Sequence, residues 1–158
     1  TIQLTEDEMD EINLPPFRNT IAAEVSGVMT SHAIYPNMDP KLPATLSSKV
    51  LTGLLRETLD FQGLIITDDL DMGAIKKKWG VARGAVASFE AGADILLICE
   101  DQTGVVESID LLQKKIIRGK ISGHRLHESL GRISNAKSKF LKNTKQVSLK
   151  KVRTYFRV

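Results

Sequence analysis

The sequence predicts an α/β fold built from parallel β/α units. Three short apolar runs alternate with stretches in which apolar residues recur at helical spacing, the pattern of strands joined by crossover helices. The runs are continuously apolar, as expected for strands covered on both faces. Each run turns polar at its carboxyl end, which is the edge where parallel sheets bind ligands.

The first unit joins an apolar run at residues 27–32 to a helix at residues 50–59. A loop with three prolines separates them, and Ser47 or Ser48 is suited to cap the helix through its hydroxyl. The second unit begins with the run at residues 63–69. Its helical pattern is long and interrupted before it resumes at residues 82–91.

The third unit begins with the run at residues 94–99 and continues in a helix at residues 104–118, with Gly119 as its stop signal. A last helix is predicted to start near Ser122. The single cysteine, Cys99, lies in the third run, so we expect a small buried core residue.

Length and charge suit one domain with a basic extension, which we place at residues 1–142 and 143–158. From residue 137 onward there are eight Lys or Arg residues and no Asp or Glu, although the whole chain has a net charge of +3. We interpret this tail as a solvated helix and extension, with no nucleic acid and no membrane as partner. No run could span a bilayer and no signal segment is evident, which favours a cytoplasmic location.

The candidate site lies where the three runs end. These polar residues are Ser31 and His32, then Thr67, Asp68 and Asp69, then Glu100 and Asp101. Two adjacent aspartates at a strand end repel each other and lose solvation, so a shared functional rim explains them better than chance.

Three kinds of chemistry fit these residues. A Ser31–His32–Asp68 triad is possible, but adjacent residues of a strand point to opposite faces. Asp68, Asp69 and Asp71 could bind Mg²⁺, but the same alternation separates the first two, and Asp71 suits a helix start. Asp68 could also be the nucleophile of a glycoside hydrolase, with His32 on the neighbouring strand. A structural strand-end role is the remaining alternative.

Several motifs point to one family. They are PFR (16–18), VMTSH (28–32), YP (35–36), PATLS (43–47), GLLRE (53–57), FQGLIITDDLDM (61–72) and AGAD (91–94) followed by LL (96–97). In order and spacing, over about residues 12–141, this set resembles the later part of the catalytic barrel of glycoside hydrolase family 3, in its β-N-acetylglucosaminidase branch.

The resemblance implies part of a TIM (β/α)₈ barrel and a retaining β-N-acetylhexosaminidase that removes terminal N-acetylglucosamine, typically from peptidoglycan fragments. It places the nucleophile at Asp68, with Asp69 as a neighbour that packs or hydrogen-bonds behind the strand. His32 becomes a substrate-side or supporting residue. No cofactor and no metal are implied, because a carboxylate nucleophile with an acid/base suffices.

In this family the acid/base histidine, its aspartate partner and the Lys, His and Arg that hold the sugar precede everything seen here. The histidines of this chain are His32, His124 and His127, the last two expected to be exposed on the final helix. A complete barrel has eight strands in about 250 residues, and three are predicted here. We therefore expect the last three-eighths of a barrel, inactive alone, with uncovered strand edges.

Two rival interpretations follow from that expectation. The uncovered edge would bind the N-terminal barrel portion or a second copy of the chain. The alternative to an enzyme is a non-catalytic half-barrel that binds a partner through this edge. A third hypothesis makes Glu100 the acid within this chain, although nothing in the family pattern supports it.

Overall fold

The computed structural model describes residues 1–141 and 148–157. The chain begins with helix α1 (Glu6–Glu8), a π-helical turn (Met9–Asn13) and helix α2 (Pro15–Ala22). The sequence patterns do not predict these N-terminal helices.

The two strands that follow confirm the predicted parallel β/α architecture. Strand β1 (Gly27–Met29) pairs in parallel with strand β2 (Leu64–Ile66), with Val28 opposite Ile65. The helical elements after β1 are a 3₁₀ turn (Ala44–Leu46), a π-helix (Lys49–Thr58), α3 (Gly73–Lys76), α4 (Val81–Ala91), α5 (Gln102–Ile117), α6 (Gly123–Phe140) and α7 (Leu149–Phe156). Crossover helices of this kind bring the carboxyl ends of parallel strands to one edge.

The third predicted strand, at residues 94–99, is reduced to one pairing. Ile95 forms an isolated parallel bridge with Ile66, and the ladder does not continue beyond it. The physical reason lies in Thr67, whose Oγ1 accepts the Leu97 N–H at 2.8 Å in place of a main-chain carbonyl. The predicted order of units is therefore correct, but the third strand is shorter than expected.

The predicted helix boundaries are close to those observed, with one correction to a cap. Ser48 precedes the π-helix without a side-chain cap, and the Ser47 hydroxyl instead donates to Asp39 at 2.7 Å. Ser122 does cap α6, because its Oγ accepts the Arg125 N–H at 3.1 Å. The predicted stop at Gly119 is also confirmed by a left-handed φ of 67° just beyond α5.

The core lies between the sheet and its helices, and it excludes Cys99. Leu51, Phe61 and Ile65 are at most 2% exposed and form one cluster against the π-helix. Cys99 is exposed, contrary to prediction. The run leaves the sheet after Ile95, so its last residues lie at the rim and not in the core.

A saturated charge centre fastens the helices to the amino end of the sheet. The side chain of Asp94 is fully buried and accepts hydrogen bonds from two helices and from a strand amide. Its donors are Arg56 Nη2 (2.6 Å), the Ile65 N–H (3.0 Å), Ser129 Oγ (2.6 Å) and Arg132 Nη1 (3.2 Å). Arg125 Nη1 forms a longer ion pair with Asp94 at 3.9 Å and donates to Ser129. Burial lowers the pKa of Arg56 to about 10, although the negative charge of Asp94 raises it in part.

Among the described residues, β1 forms one edge of the sheet. No second strand pairs with β1 among the residues described, and Met29 is 58% exposed. Residues 142–147 and 158 of the basic extension lie outside the described residues, while α7 has an exposed surface that includes Tyr155. None of the described helices combines the length and apolar character needed to cross a bilayer.

Candidate active site

The loop that follows β2 is fixed by two buried residues. Thr67 and Leu70 are both 0% exposed, and the Leu70 N–H donates to the Leu97 carbonyl at 2.9 Å. Between them, Asp68 and Asp69 are half-buried at the carboxyl end of the sheet. Because Leu70 is buried in the core, the loop keeps both carboxylates at the carboxyl end of the sheet.

Asp68 keeps most of its hydrogen-bonding capacity. Its Oδ1 accepts the Asp69 N–H at 2.8 Å, and its own N–H donates to Thr30 Oγ1 at 3.3 Å. Within residues 1–141 and 148–157, no Lys or Arg forms an ion pair with this carboxylate and nothing else donates to it. An ionised carboxylate accepts about four hydrogen bonds, so Asp68 can still bind or attack a ligand.

Asp69 and Asp71 instead join this loop to the loop before α5. Asp69 Oδ1 accepts the N–H groups of Asp71 (3.0 Å) and Cys99 (3.1 Å). Asp71 Oδ2 accepts the N–H groups of Glu100 (3.0 Å) and Asp101 (2.8 Å). The expected role of Asp69, bonding behind the strand, matches this geometry.

The predicted role of Asp71 at the start of its own helix is wrong. Helix α3 begins at Gly73 and Asp71 turns to the other loop, because two amides there lack main-chain acceptors. The N–H groups of Asp101 and Glu100 hold the pKa of Asp71 below its usual value. Lys76 bridges Asp101 (3.0 Å) and Asp71 (3.3 Å), and these contacts raise its own pKa.

His32 lies beside the nucleophile candidate with both ring nitrogens engaged. Nε2 is 2.8 Å from the Asp69 carbonyl oxygen, and Nδ1 is 2.8 Å from Thr45 Oγ1. These partners leave no Ser31–His32–Asp68 triad. The contacts fit a role for His32 in supporting the loop that carries Asp68. Direct contact of His32 with substrate stays a prediction.

Two threonines in this network were missed from the sequence. Thr30 Oγ1 lies 2.7 Å from Thr45 Oγ1, so the hydroxyls connect Asp68 to His32. Alternation along the strand places Thr30 and His32 on one face, a signal that was available. Thr45 lies in a buried 3₁₀ turn with no spacing pattern to identify it.

The competing sites are not assembled among the described residues. No group of three or more His, Cys, Asp or Glu side chains there is arranged to hold a metal ion. The side chain of Glu100 is exposed, and its backbone is held by Asp71. His124 and His127 are exposed on α6, as predicted, and His127 Nδ1 donates to the Gly123 carbonyl at 2.7 Å.

Comparison with known proteins fits this geometry. Residues 1–136 match the family described as glycosyl hydrolase family 3 N terminal domain. The chain is 39% identical over 106 residues to a β-hexosaminidase of Nitrosomonas eutropha, covering 67% of this chain and 30% of that protein.

Solved structures show the same likeness. A family 3 β-N-acetylglucosaminidase from Paenibacillus sp. superposes with a TM-score of 0.89 at 39% identity, covering 94% of this chain and 28% of that one. A β-N-acetylglucosaminidase from Thermotoga maritima gives 0.80 at 28% identity, covering 90% and 32%. The chain thus spans under a third of the length of these three relatives. It belongs to the glycosyl hydrolase family 3 N-terminal domain family, whose fold is an α/β barrel of the TIM type.

Proposed function

We propose that this chain supplies the nucleophile of a retaining glycoside hydrolase that removes terminal β-N-acetylglucosamine, with Asp68 as that nucleophile. The observation that carries the proposal is the Asp68 carboxylate, held at the carboxyl end of β2 with a single hydrogen-bond donor among the described residues. The names of the relatives, β-hexosaminidase and β-N-acetylglucosaminidase, support the substrate class.

The reaction proceeds in two displacements. An oxygen of Asp68 attacks the anomeric carbon, the glycosidic C–O bond breaks, and the leaving oxygen takes a proton from an acid. A glycosyl–aspartyl ester forms. Water then attacks the same carbon as it gives a proton to the conjugate base of that acid, and the ester C–O bond breaks to release the sugar and the carboxylate. Two inversions give net retention, and no cofactor is required.

The rim contacts favour this role because they fix the loop without using the nucleophile. Asp69 and Asp71 accept four backbone N–H groups, so the loop is held from both directions. A reacting group that is already held in place loses less entropy on reaching the transition state than a mobile one does.

The proton donor is proposed to come from the N-terminal portion of the family's barrel. His32 has both ring nitrogens bonded, and His124 and His127 lie exposed on α6. The complete site would then form where that portion covers β1. Peptidoglycan fragments, recycled in the cytoplasm, are the substrate we propose on the strength of the resemblance.

A non-catalytic half-barrel is the second candidate, and the open β1 edge with its exposed Met29 favours it. Such a chain would bind a partner or a second copy of itself through this edge. Sedimentation velocity of the purified chain distinguishes a monomer from an assembly. An assembly that shows no hydrolysis, even with the N-terminal barrel portion added, would favour this candidate over the enzyme.

The direct test is hydrolysis of an aryl β-N-acetylglucosaminide by the chain alone and by the chain mixed with the N-terminal barrel portion. We expect no turnover alone and turnover in the mixture. Asp68→Asn should lower kcat by at least about a thousandfold, and the adjacent Asp69→Asn should not. Equal losses in the two variants would contradict the assignment.

A further inference from the structure

We infer that His32 is a positioning residue that fixes the backbone on the carboxyl side of Asp68, while Thr30 fixes it on the amino side. The inference rests on the proposed nucleophile role of Asp68. It replaces substrate contact by His32 with a contact to the Asp69 carbonyl at 2.8 Å.

The donors and acceptors in the network define the direction of each hydrogen bond. A carbonyl oxygen only accepts, so His32 Nε2 carries a proton and donates to Asp69. In the neutral ring Nδ1 therefore accepts, and its partner is the Thr45 hydroxyl at 2.8 Å. Thr45 in turn accepts from the Thr30 hydroxyl, and Thr30 accepts from the Asp68 N–H.

The Thr45 hydroxyl has one proton and two possible acceptors. The Ser31 carbonyl lies 2.8 Å away, as does His32 Nδ1. The Ser31 carbonyl already accepts the Thr45 N–H at 3.1 Å, whereas Nδ1 of a neutral ring has no other donor among the described residues. With the hydroxyl proton on either acceptor, His32 Nε2 still donates to the Asp69 carbonyl.

The result is a closed chain of hydrogen bonds that starts at the Asp68 N–H and ends at the Asp69 carbonyl. Thr45 is fully buried and lies in the 3₁₀ turn, so the chain is anchored in the core. The peptide group before the Asp68 Cα and the peptide group after the Asp69 Cα are thus held by side chains of another β/α unit. A misplacement of about 1 Å at a reacting group can cost about a hundredfold in rate.

The test compares His32→Leu, which removes the donor, with His32→Gln, whose side-chain amide can reach the same carbonyl. His127→Gln is the matched control, since His127 also donates to a carbonyl but lies on α6 away from the rim. Amide hydrogen exchange is followed by NMR on the intact chain. Exchange at Asp68 should become about fivefold faster in His32→Leu, stay near wild type in His32→Gln and be unchanged in the control.

Exchange at Ile65 in the core reports global stability in the same spectra. Unchanged exchange at Asp68 in His32→Leu, or equal acceleration at Asp68 and Ile65, would overturn the inference. This measurement needs no turnover, so it separates failure of the inference from failure of the proposed function.

Kinetics provide the second readout in the preparation that hydrolyses the aryl glycoside. His32→Leu should lower kcat by about 10- to 100-fold with little change in KM, and His32→Gln should recover most of it. A rise in KM at constant kcat would assign His32 to substrate binding and contradict the positioning role.

Discussion

Two carboxylate centres lie at opposite ends of neighbouring segments of the same sheet, and they are built in opposite ways. Asp94, at the amino end, is fully buried and accepts bonds from Arg56, Arg132, Ser129 and the Ile65 amide. Asp68, at the carboxyl end, accepts one hydrogen bond from the described residues.

The difference agrees with the roles we propose, a structural one for Asp94 and a reactive one for Asp68. A buried charge is tolerated when every lone pair is used, and it then holds elements together. A carboxylate that is to attack a sugar must keep a lone pair free, so its position has to be fixed through other groups. At the rim, Asp69 and Asp71 do this by binding backbone amides.

The largest effect is expected from Asp94→Asn. The variant removes the charge that compensates three guanidinium groups and should lower the free energy of unfolding by about 3–5 kcal/mol. Urea denaturation measures it, with Asp110→Asn on the exposed surface of α5 as the control. Similar urea midpoints for the two variants would contradict the structural role of Asp94.

A smaller loss is expected from Thr67→Val, which removes the acceptor of the Leu97 N–H. An unpaired buried donor costs about 1–3 kcal/mol, so the melting temperature should fall and exchange of the Leu97 amide should accelerate. Thr103→Val on the exposed face of α5 should change neither quantity. Unchanged exchange at Leu97 would show that the rim does not depend on this side chain.

The dependence of stability on pH in the acid range should show how much the ionised Asp71 carboxylate stabilises the fold. Its pKa is held below the usual 3.8 by the N–H groups of Asp101 and Glu100. A lowered pKa in the native state stabilises the fold above the unfolded value, and that contribution disappears as the pH falls through the native value. Wild type should therefore exceed Asp71→Asn in urea midpoint near neutral pH, with a gap that narrows below about pH 4. A gap that is constant with pH would contradict this origin.

The smallest effect on stability is expected from Asp68→Asn. Its amide oxygen can still accept the Asp69 N–H, so the free energy of unfolding should change by less than about 0.5 kcal/mol. Urea midpoints of this variant and of Asp94→Asn, measured together, define the contrast. A loss as large as that of Asp94→Asn would make Asp68 structural.

The parts predicted from sequence are those that short-range patterns determine. Apolar runs and helical spacing located the β/α units, and polar run ends located the rim. Cys99 was misplaced because hydropathy does not show where a run leaves the sheet. The third strand was overestimated because Thr67 takes over a backbone acceptor.

The Asp94 centre and the His32 network could not be predicted in the same way. Asp94 meets Ile65 and Arg132 across 29 and 38 residues, and His32 meets Asp69 across 37. No local period encodes such pairings, which the packing of the β/α units decides. Motif resemblance points to Asp68 as the proposed nucleophile but carries no information on which side chains hold it.

Trapping the covalent intermediate tests the central claim most directly. A 5-fluoro N-acetylglucosaminyl fluoride would be incubated with the chain and the N-terminal barrel portion, and the peptides analysed by mass spectrometry. We predict a glycosyl adduct on Asp68 that is lost in Asp68→Asn and retained in Asp69→Asn. An adduct on Glu100, or one that persists in Asp68→Asn, would contradict the account.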